Sequence, residues 1–151
     1  DLYQLRLMLE VGMADFIYLN MTEEQLDGLD KIVAEEVELE REMTMAEDDE
    51  QRYAVAKKLT DVDIRFHSAL FEMTGNKSLM DFQYILRHLF TLYRPKIKAD
   101  YHSRTIISHV SLYNLLRTGT AETFRTAMRL HLKTQFENMK SILECTINNA
   151  N

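Results

Sequence analysis

The sequence contains few of the residues that interrupt regular backbone structure. Its 151 residues include four glycines, a single proline (Pro95) and no tryptophan. Glycine and proline are the residues that most often end helices and form tight turns. Because they are scarce while Leu, Met, Glu, Lys and Arg are frequent, the composition argues against a sheet-rich protein. We predict long helices, and the length suits one domain with a sizeable core.

The cysteine count, the lack of long apolar runs and the net charge each exclude a broad class of protein. The lone Cys145 excludes an intrachain disulfide and fits a reducing cytoplasm. No apolar run approaches the about 20 residues needed to span a bilayer, and no secretory leader is visible. The formal net charge of −6 argues against binding of nucleic acid by this chain itself. We therefore expect a cytoplasmic domain that contacts neither a membrane nor DNA directly.

Hydrophobic periodicity and capping residues predict six helices in an antiparallel bundle. The predicted helices cover approximately residues 1–19, 22–45, 48–73, 78–94, 103–117 and 120–147. Thr22 and Gln25 have the spacing of a capping box. Gly75 suits the left-handed position after the third helix, and Pro95 ends or kinks the fourth. Gly119 ends the fifth helix. The fold class is thus predicted to be all-α.

Four potential metal ligands fall on apolar faces of these helices. Asp63 and His67 are four residues apart, so their side chains leave one face one turn apart. His109 and His131 each lie on the apolar stripe of a later helix. An ionised aspartate is costly to bury unless its charge is compensated. A divalent transition metal would compensate that charge and use the imidazole lone pairs.

The residues alone leave simpler interpretations open. A single histidine on an apolar face more often has an ordinary core or surface role, and Asp63 and His67 could form a hydrogen-bonded couple. Four ligands also leave the geometry open, since tetrahedral coordination suits structural zinc. Octahedral Ni²⁺, Mn²⁺, Co²⁺ or Fe²⁺ would keep two positions for water or a chelating carboxylate. His88 and His102 lack comparable partners and are predicted to be surface residues.

Two other side chains are candidates for binding a small acid. Arg6 lies one turn before Glu10, and its guanidinium could clamp a carboxylate through two hydrogen bonds. The alternative is a surface ion pair between Arg6 and Glu10. Asn76 could hydrogen-bond a ligand, although capping of the following helix is the commoner role for such a residue.

Taken together, these segments resemble one known domain over nearly the whole chain, from Asp1 to about Asn138. The matching pieces are Asp1-Leu-Tyr-Gln-Leu-Arg6-Leu-Met-Leu-Glu10, Asp63-Ile-Arg-Phe-His67, Thr74-Gly-Asn76, His109, Gly119 and Ala127-Met128-Arg-Leu-His131-Leu132. They resemble the C-terminal effector-binding (FCD) domain of FadR-like transcription regulators in the GntR superfamily. Each piece alone is weak, but the combination is specific.

The resemblance implies a helical bundle of six or seven helices that forms a homodimer and holds a metal in a central cavity. Its metal ligands would be Asp63, His67, His109 and His131, with zinc the first candidate. Small organic acids bind beside the metal in such proteins, and Arg6 matches an arginine of that pocket. The branch that binds acyl-CoA looks less similar, because it departs from this ligand set.

Full-length members of that family carry an N-terminal winged helix-turn-helix, which this sequence lacks. The chain begins at Asp1 inside a predicted helix, so we expect a fragment whose DNA-binding part is missing. The expected function is metal-dependent sensing of an organic acid, without catalysis. The alternatives are a metalloenzyme and a purely structural metal. The sequence offers no clear general base for the first, since its glutamates cluster between Glu23 and Glu50 on a solvated face.

Overall fold

The computed structural model describes residues 2–93 and 106–148, and within these ranges it contains helices and no strand. The seven helices are α1 (Leu2–Gly12), α2 (Ala14–Asn20), α3 (Glu23–Met45), α4 (Asp49–Met73), α5 (Lys77–Tyr93), α6 (His109–Thr118) and α7 (Ala121–Asn148). The predicted all-α class is confirmed. Pro95 and His102 lie outside the described residues, as do the side chains of His88 and Cys145. No helix in the described ranges is both long enough and apolar enough to cross a membrane.

The chain divides into two compact units. The first unit comprises residues 1–15 and 102–151, and therefore contains α1, α6 and α7. The second unit comprises residues 16–101 and contains α3, α4 and α5. Helix α2 begins in the first unit and ends in the second. The predictions of a single domain and of a central cavity stay predictions.

In the second unit, α3 and α4 form an antiparallel hairpin. Arg65 on α4 binds Glu35 on α3 at 2.7 Å, and Lys58 lies 3.8 Å from Glu42, so the partners run in opposite directions. The hydrogen bond to Glu35 raises the pKa of the Arg65 guanidinium. Apolar side chains fill the space between the two helices. They are Leu39, Met43, Val55 and Val62, with Ile32, Ala56 and Leu59 packed against them.

The C-terminal end of α4 is closed by a short turn. Gly75 has a φ of +66°, the left-handed conformation that the sequence predicts. Asn20 donates from Nδ2 to the carbonyl oxygen of Thr74 at 3.0 Å, which holds the end of α2 against this turn. Asn76 follows, directly before α5 begins at Lys77. The turn therefore fixes where α4 ends, six residues beyond His67.

In the first unit, α7 packs against both α1 and α6. Arg125 on α7 forms ion pairs with Asp15, at 2.5 Å, and with Glu122. Helix α6 ends at Thr118, and the N–H of its C-cap Gly119 donates to the carbonyl oxygen of Leu115 at 2.7 Å. Two residues then separate α6 from α7, so the two helices form a tight hairpin.

Two predicted helix boundaries are wrong. The helix predicted over residues 1–19 is interrupted at Met13, because Gly12 has a low helix propensity. The interruption is small, since the Met13 N–H still donates to the Leu9 carbonyl at 3.0 Å. The helix predicted to start near residue 103 begins at His109 instead. Ser108 is its N-cap, which leaves residues 106–108 outside the helix.

We predict that Gly119→Ala destabilises the protein. A Cβ atom at this position would lie 2.8 Å from both the Leu115 carbonyl oxygen and Thr123 Oγ1, so the turn would have to shift. A loss of about 1–3 kcal/mol in the free energy of unfolding is expected, measured by urea denaturation. The control is Gly28→Ala on α3, where no atom lies within 4 Å. That variant should gain about 0.5–1 kcal/mol, and equal stabilities for the two variants would contradict the structure.

Candidate functional site

Asp63 and His67 face each other across one turn of α4, as their spacing predicts. The distance from Asp63 Oδ1 to His67 Nε2 is 3.8 Å, which is longer than a hydrogen bond. Two atoms that bind one ion at about 2.1 Å each lie no more than about 4.2 Å apart. The separation is therefore too long for a direct hydrogen bond and short enough for both atoms to reach one metal ion.

The surroundings of this pair are apolar. His67 is buried, and the ring of Phe66 meets the imidazole edge-on with centroids 5.5 Å apart. Val62 and Leu70 on the same helix are fully buried. Asp63 is only partly exposed, with 22% of its side chain accessible. A carboxylate in such surroundings loses part of its hydration, so a nearby cation would stabilise its charged form.

His109 and His131 come together in the first unit. Their ring centroids are 4.7 Å apart with the planes tilted by 49°, and both residues are buried. His109 is the first residue of α6, and His131 lies in the middle part of α7. The apolar residues around them on these helices are also buried. They include Leu112, Leu116, Phe124, Met128 and Leu132.

One hydrogen bond determines the chemistry of His131. Its Nδ1 atom lies 2.7 Å from the carbonyl oxygen of Ile107. A carbonyl oxygen only accepts hydrogen bonds, so Nδ1 must carry the proton. In the neutral imidazole the lone pair is then on Nε2, which is the arrangement of a metal ligand whose other nitrogen is held by the protein.

Arg6 and Glu10 form a two-point ion pair on α1. Arg6 Nε donates to Glu10 Oε1, and Arg6 Nη2 lies 3.2 Å from Glu10 Oε2. The ion pair between Arg6 and Glu10 that the sequence offered as an alternative is present, but it is largely buried and does not lie on the surface. Only 11% of the Arg6 side chain and 2% of the Glu10 side chain are exposed. Glu10 thus holds the guanidinium in one orientation and compensates its charge.

Asn76 is exposed and has a capping role. Its Oδ1 accepts a hydrogen bond from the Leu79 N–H at 3.2 Å, at the start of α5. Its own N–H donates to Thr74 Oγ1 at 3.2 Å. The capping role that the sequence offered as the commoner one is therefore the role seen here, and a contact with an effector stays a prediction.

Three features of the site escape sequence reasoning. Glu10 is buried, the Ile107 carbonyl binds His131, and Ser108 caps α6. Only the last has a local signal, because serine is among the residues preferred at the N-cap position. Burial of Glu10 and the bond over 24 residues to Ile107 depend on how the helices pack.

The predicted metal ligands are divided between the two units. Asp63 and His67 belong to the second unit, whereas His109 and His131 belong to the first. All three histidines are buried, and each offers a ring nitrogen that could bind a metal ion. Arg6 belongs to the first unit as well.

Comparison with protein families identifies the chain. The model of the FCD domain family matches residues 1–134, a range that includes every predicted ligand as well as Arg6 and Asn76. Comparison with curated proteins and with solved structures gives no significant match. Because the match covers 134 of 151 residues, the chain belongs to the FCD domain family, the effector-binding domains of FadR-like transcription regulators in the GntR superfamily.

Proposed function

We propose that this domain senses a small organic acid through a divalent transition metal held by Asp63, His67, His109 and His131. The observation that carries the proposal is the burial of three histidines in a domain of this family. Burial removes the water that would otherwise hydrate the imidazole nitrogens. Bound to a metal, their lone pairs contribute to stability instead.

The donor set fits such an ion. Three imidazole nitrogens and one carboxylate oxygen are ligands of zinc, and equally of Ni²⁺, Mn²⁺, Co²⁺ and Fe²⁺. Zinc is our first candidate. The ion would supply a Lewis-acidic centre at which an acid's carboxylate can bind. The separation of 3.8 Å between Asp63 Oδ1 and His67 Nε2, and the Nδ1–H form of His131, support this assignment.

Arg6 is the proposed partner of the effector's anionic group. A guanidinium held by Glu10 loses little further side-chain entropy when it binds a second carboxylate. The planar fork of a guanidinium favours a planar anion over a hydroxyl. Asn76 is a weaker candidate, because its Oδ1 already caps α5.

The proposed output is a change in DNA binding by a winged helix-turn-helix domain that is not part of this chain. The domain would act as a cytoplasmic homodimer. An effector shifts the equilibrium between two dimer geometries only by its difference in affinity for them. A coupling of about 1–3 kcal/mol, or about 5–150-fold in DNA affinity, is typical. FCD domains belong to transcription regulators, so we propose no catalytic step.

We predict that His131→Gln abolishes tight metal binding. The wild-type protein, stripped of metal and titrated calorimetrically with Zn²⁺, should bind one equivalent, and the variant should bind at least about 100-fold more weakly. The control is Arg129→Gln, an exposed residue on the same helix. Zinc at 100 times its dissociation constant should stabilise the wild type by about 2.7 kcal/mol. A wild type that binds none of the five candidate ions would overturn the proposal.

We predict that Arg6→Lys weakens binding of the organic acid but not of the metal. Lysine keeps the charge opposite Glu10 yet lacks the planar fork of N–H groups. With metal-loaded protein, the affinity for lactate, sugar acids or dicarboxylates should fall by about tenfold or more, the loss of about one charged hydrogen bond. Arg41→Lys on α3, an exposed arginine paired with Glu38, is the control. Conversion of an acid to product during the titration would contradict a sensor.

A further inference from the structure

The two residues that directly precede α6, Ile107 and Ser108, influence both histidines of the first unit. Ile107 binds His131 through its backbone carbonyl, and Ser108 caps the helix that begins with His109. We propose that this segment, Ile107-Ser108, positions both histidines as metal ligands. The inference rests on the proposed metal site, and it assigns positioning roles to residues that do not themselves bind the metal.

The first step concerns the ring of His131. A free imidazole exchanges its proton between Nδ1 and Nε2, and the bond made by one nitrogen decides which atom keeps the lone pair. The bond of 2.7 Å to the Ile107 carbonyl selects the Nδ1–H form and restricts rotation of the ring. Nε2 is thereby presented as the ligand atom before any metal arrives.

The second step concerns the position of His109. Ser108 has an extended backbone, with φ of −82° and ψ of 165°, and its Oγ accepts a hydrogen bond from the Ser111 N–H at 3.2 Å. Its carbonyl oxygen accepts from the Leu112 N–H at 3.1 Å. These bonds make His109 the first helical residue. Without them the first turn of α6 would fray, and the imidazole of His109 would lose its fixed direction.

The two effects are linked because the residues involved are consecutive. A shift of the backbone at Ile107 and Ser108 would move the acceptor of His131 and the start of the helix that carries His109. We therefore expect the proposed site to be more sensitive to a change at the start of α6 than to a change at the start of another helix. Thr120, which caps α7 through a bond of 3.3 Å from the Thr123 N–H, is a suitable comparison.

The first test examines metal-free protein. Long-range ¹H–¹⁵N correlation spectra of protein labelled with ¹⁵N-histidine distinguish the two neutral forms of each ring. We expect His131 to be in the Nδ1–H form before metal is added. An Nε2–H form, or a mixture of both, would overturn the role of Ile107. This measurement does not depend on metal binding. Failure of this inference can therefore be distinguished from failure of the proposed function, which fails if the wild type binds no metal.

The second test compares two helix caps. Ser108→Ala should lower the Zn²⁺ affinity by about 10–100-fold, the usual effect of losing a group that orients a ligand. Thr120→Ala removes a cap of similar strength from α7 and should leave the Zn²⁺ affinity unchanged. Ser108→Thr, which keeps the cap, should restore the affinity. Equal losses for Ser108→Ala and Thr120→Ala would show a general effect on stability and overturn the inference.

If Ser108→Ala does not fold, Ser108→Gly replaces it. Glycine at an N-cap position costs little overall helix stability. It lacks the Oγ atom that binds Ser111 and adds backbone freedom directly before His109, so the first turn should still open more often. We expect a lower Zn²⁺ affinity for this variant at nearly unchanged thermal stability. An affinity equal to that of the wild type would overturn the role of Ser108.

Discussion

Polar side chains on buried helix faces are the constraint on which the rest of this structure depends. Each must find a partner, because an uncompensated polar group in an apolar environment costs more free energy than its burial returns. Glu10 meets this requirement with Arg6, and His131 meets it with the Ile107 carbonyl. Asp63 faces His67 at 3.8 Å and keeps 22% of its side chain accessible. The fold thus keeps Glu10 and His131 among its least exposed side chains.

Much of the fold follows from local signals. The capping box of Thr22 and Gln25 forms as its spacing predicts, and Gly75 takes the left-handed conformation that ends α4. The errors occur where local preferences compete. Gly12 interrupts the first predicted helix, although the apolar stripe of that helix continues beyond it. Ser108 caps α6, so the helix begins at His109 although apolar residues precede the cap. Periodicity indicates the face of a helix well, but it says little about where the helix begins.

The candidate site, like the fold, could be predicted from local sequence only in part. The four-residue spacing of Asp63 and His67, and that of Arg6 and Glu10, predicted both pairs, because helical geometry alone brings such side chains together. Burial of the second pair was not predictable, since it depends on packing of α1 against α7. The approach of His109 to His131 likewise required the hairpin of α6 and α7. Residues adjacent along a helix can be deduced from sequence, whereas partners more than 20 residues apart require the tertiary structure.

The hairpin of α6 and α7 is closed at both ends. At one end the short turn at Gly119 joins the helices, and at the other the Ile107 carbonyl is bonded to the His131 ring. A segment tied in this way cannot unravel gradually from one tip, because separation of the helices breaks the distal bond together with the apolar contacts between them. Its backbone amides should consequently exchange with solvent deuterium as one cooperative group rather than as a gradient along the chain.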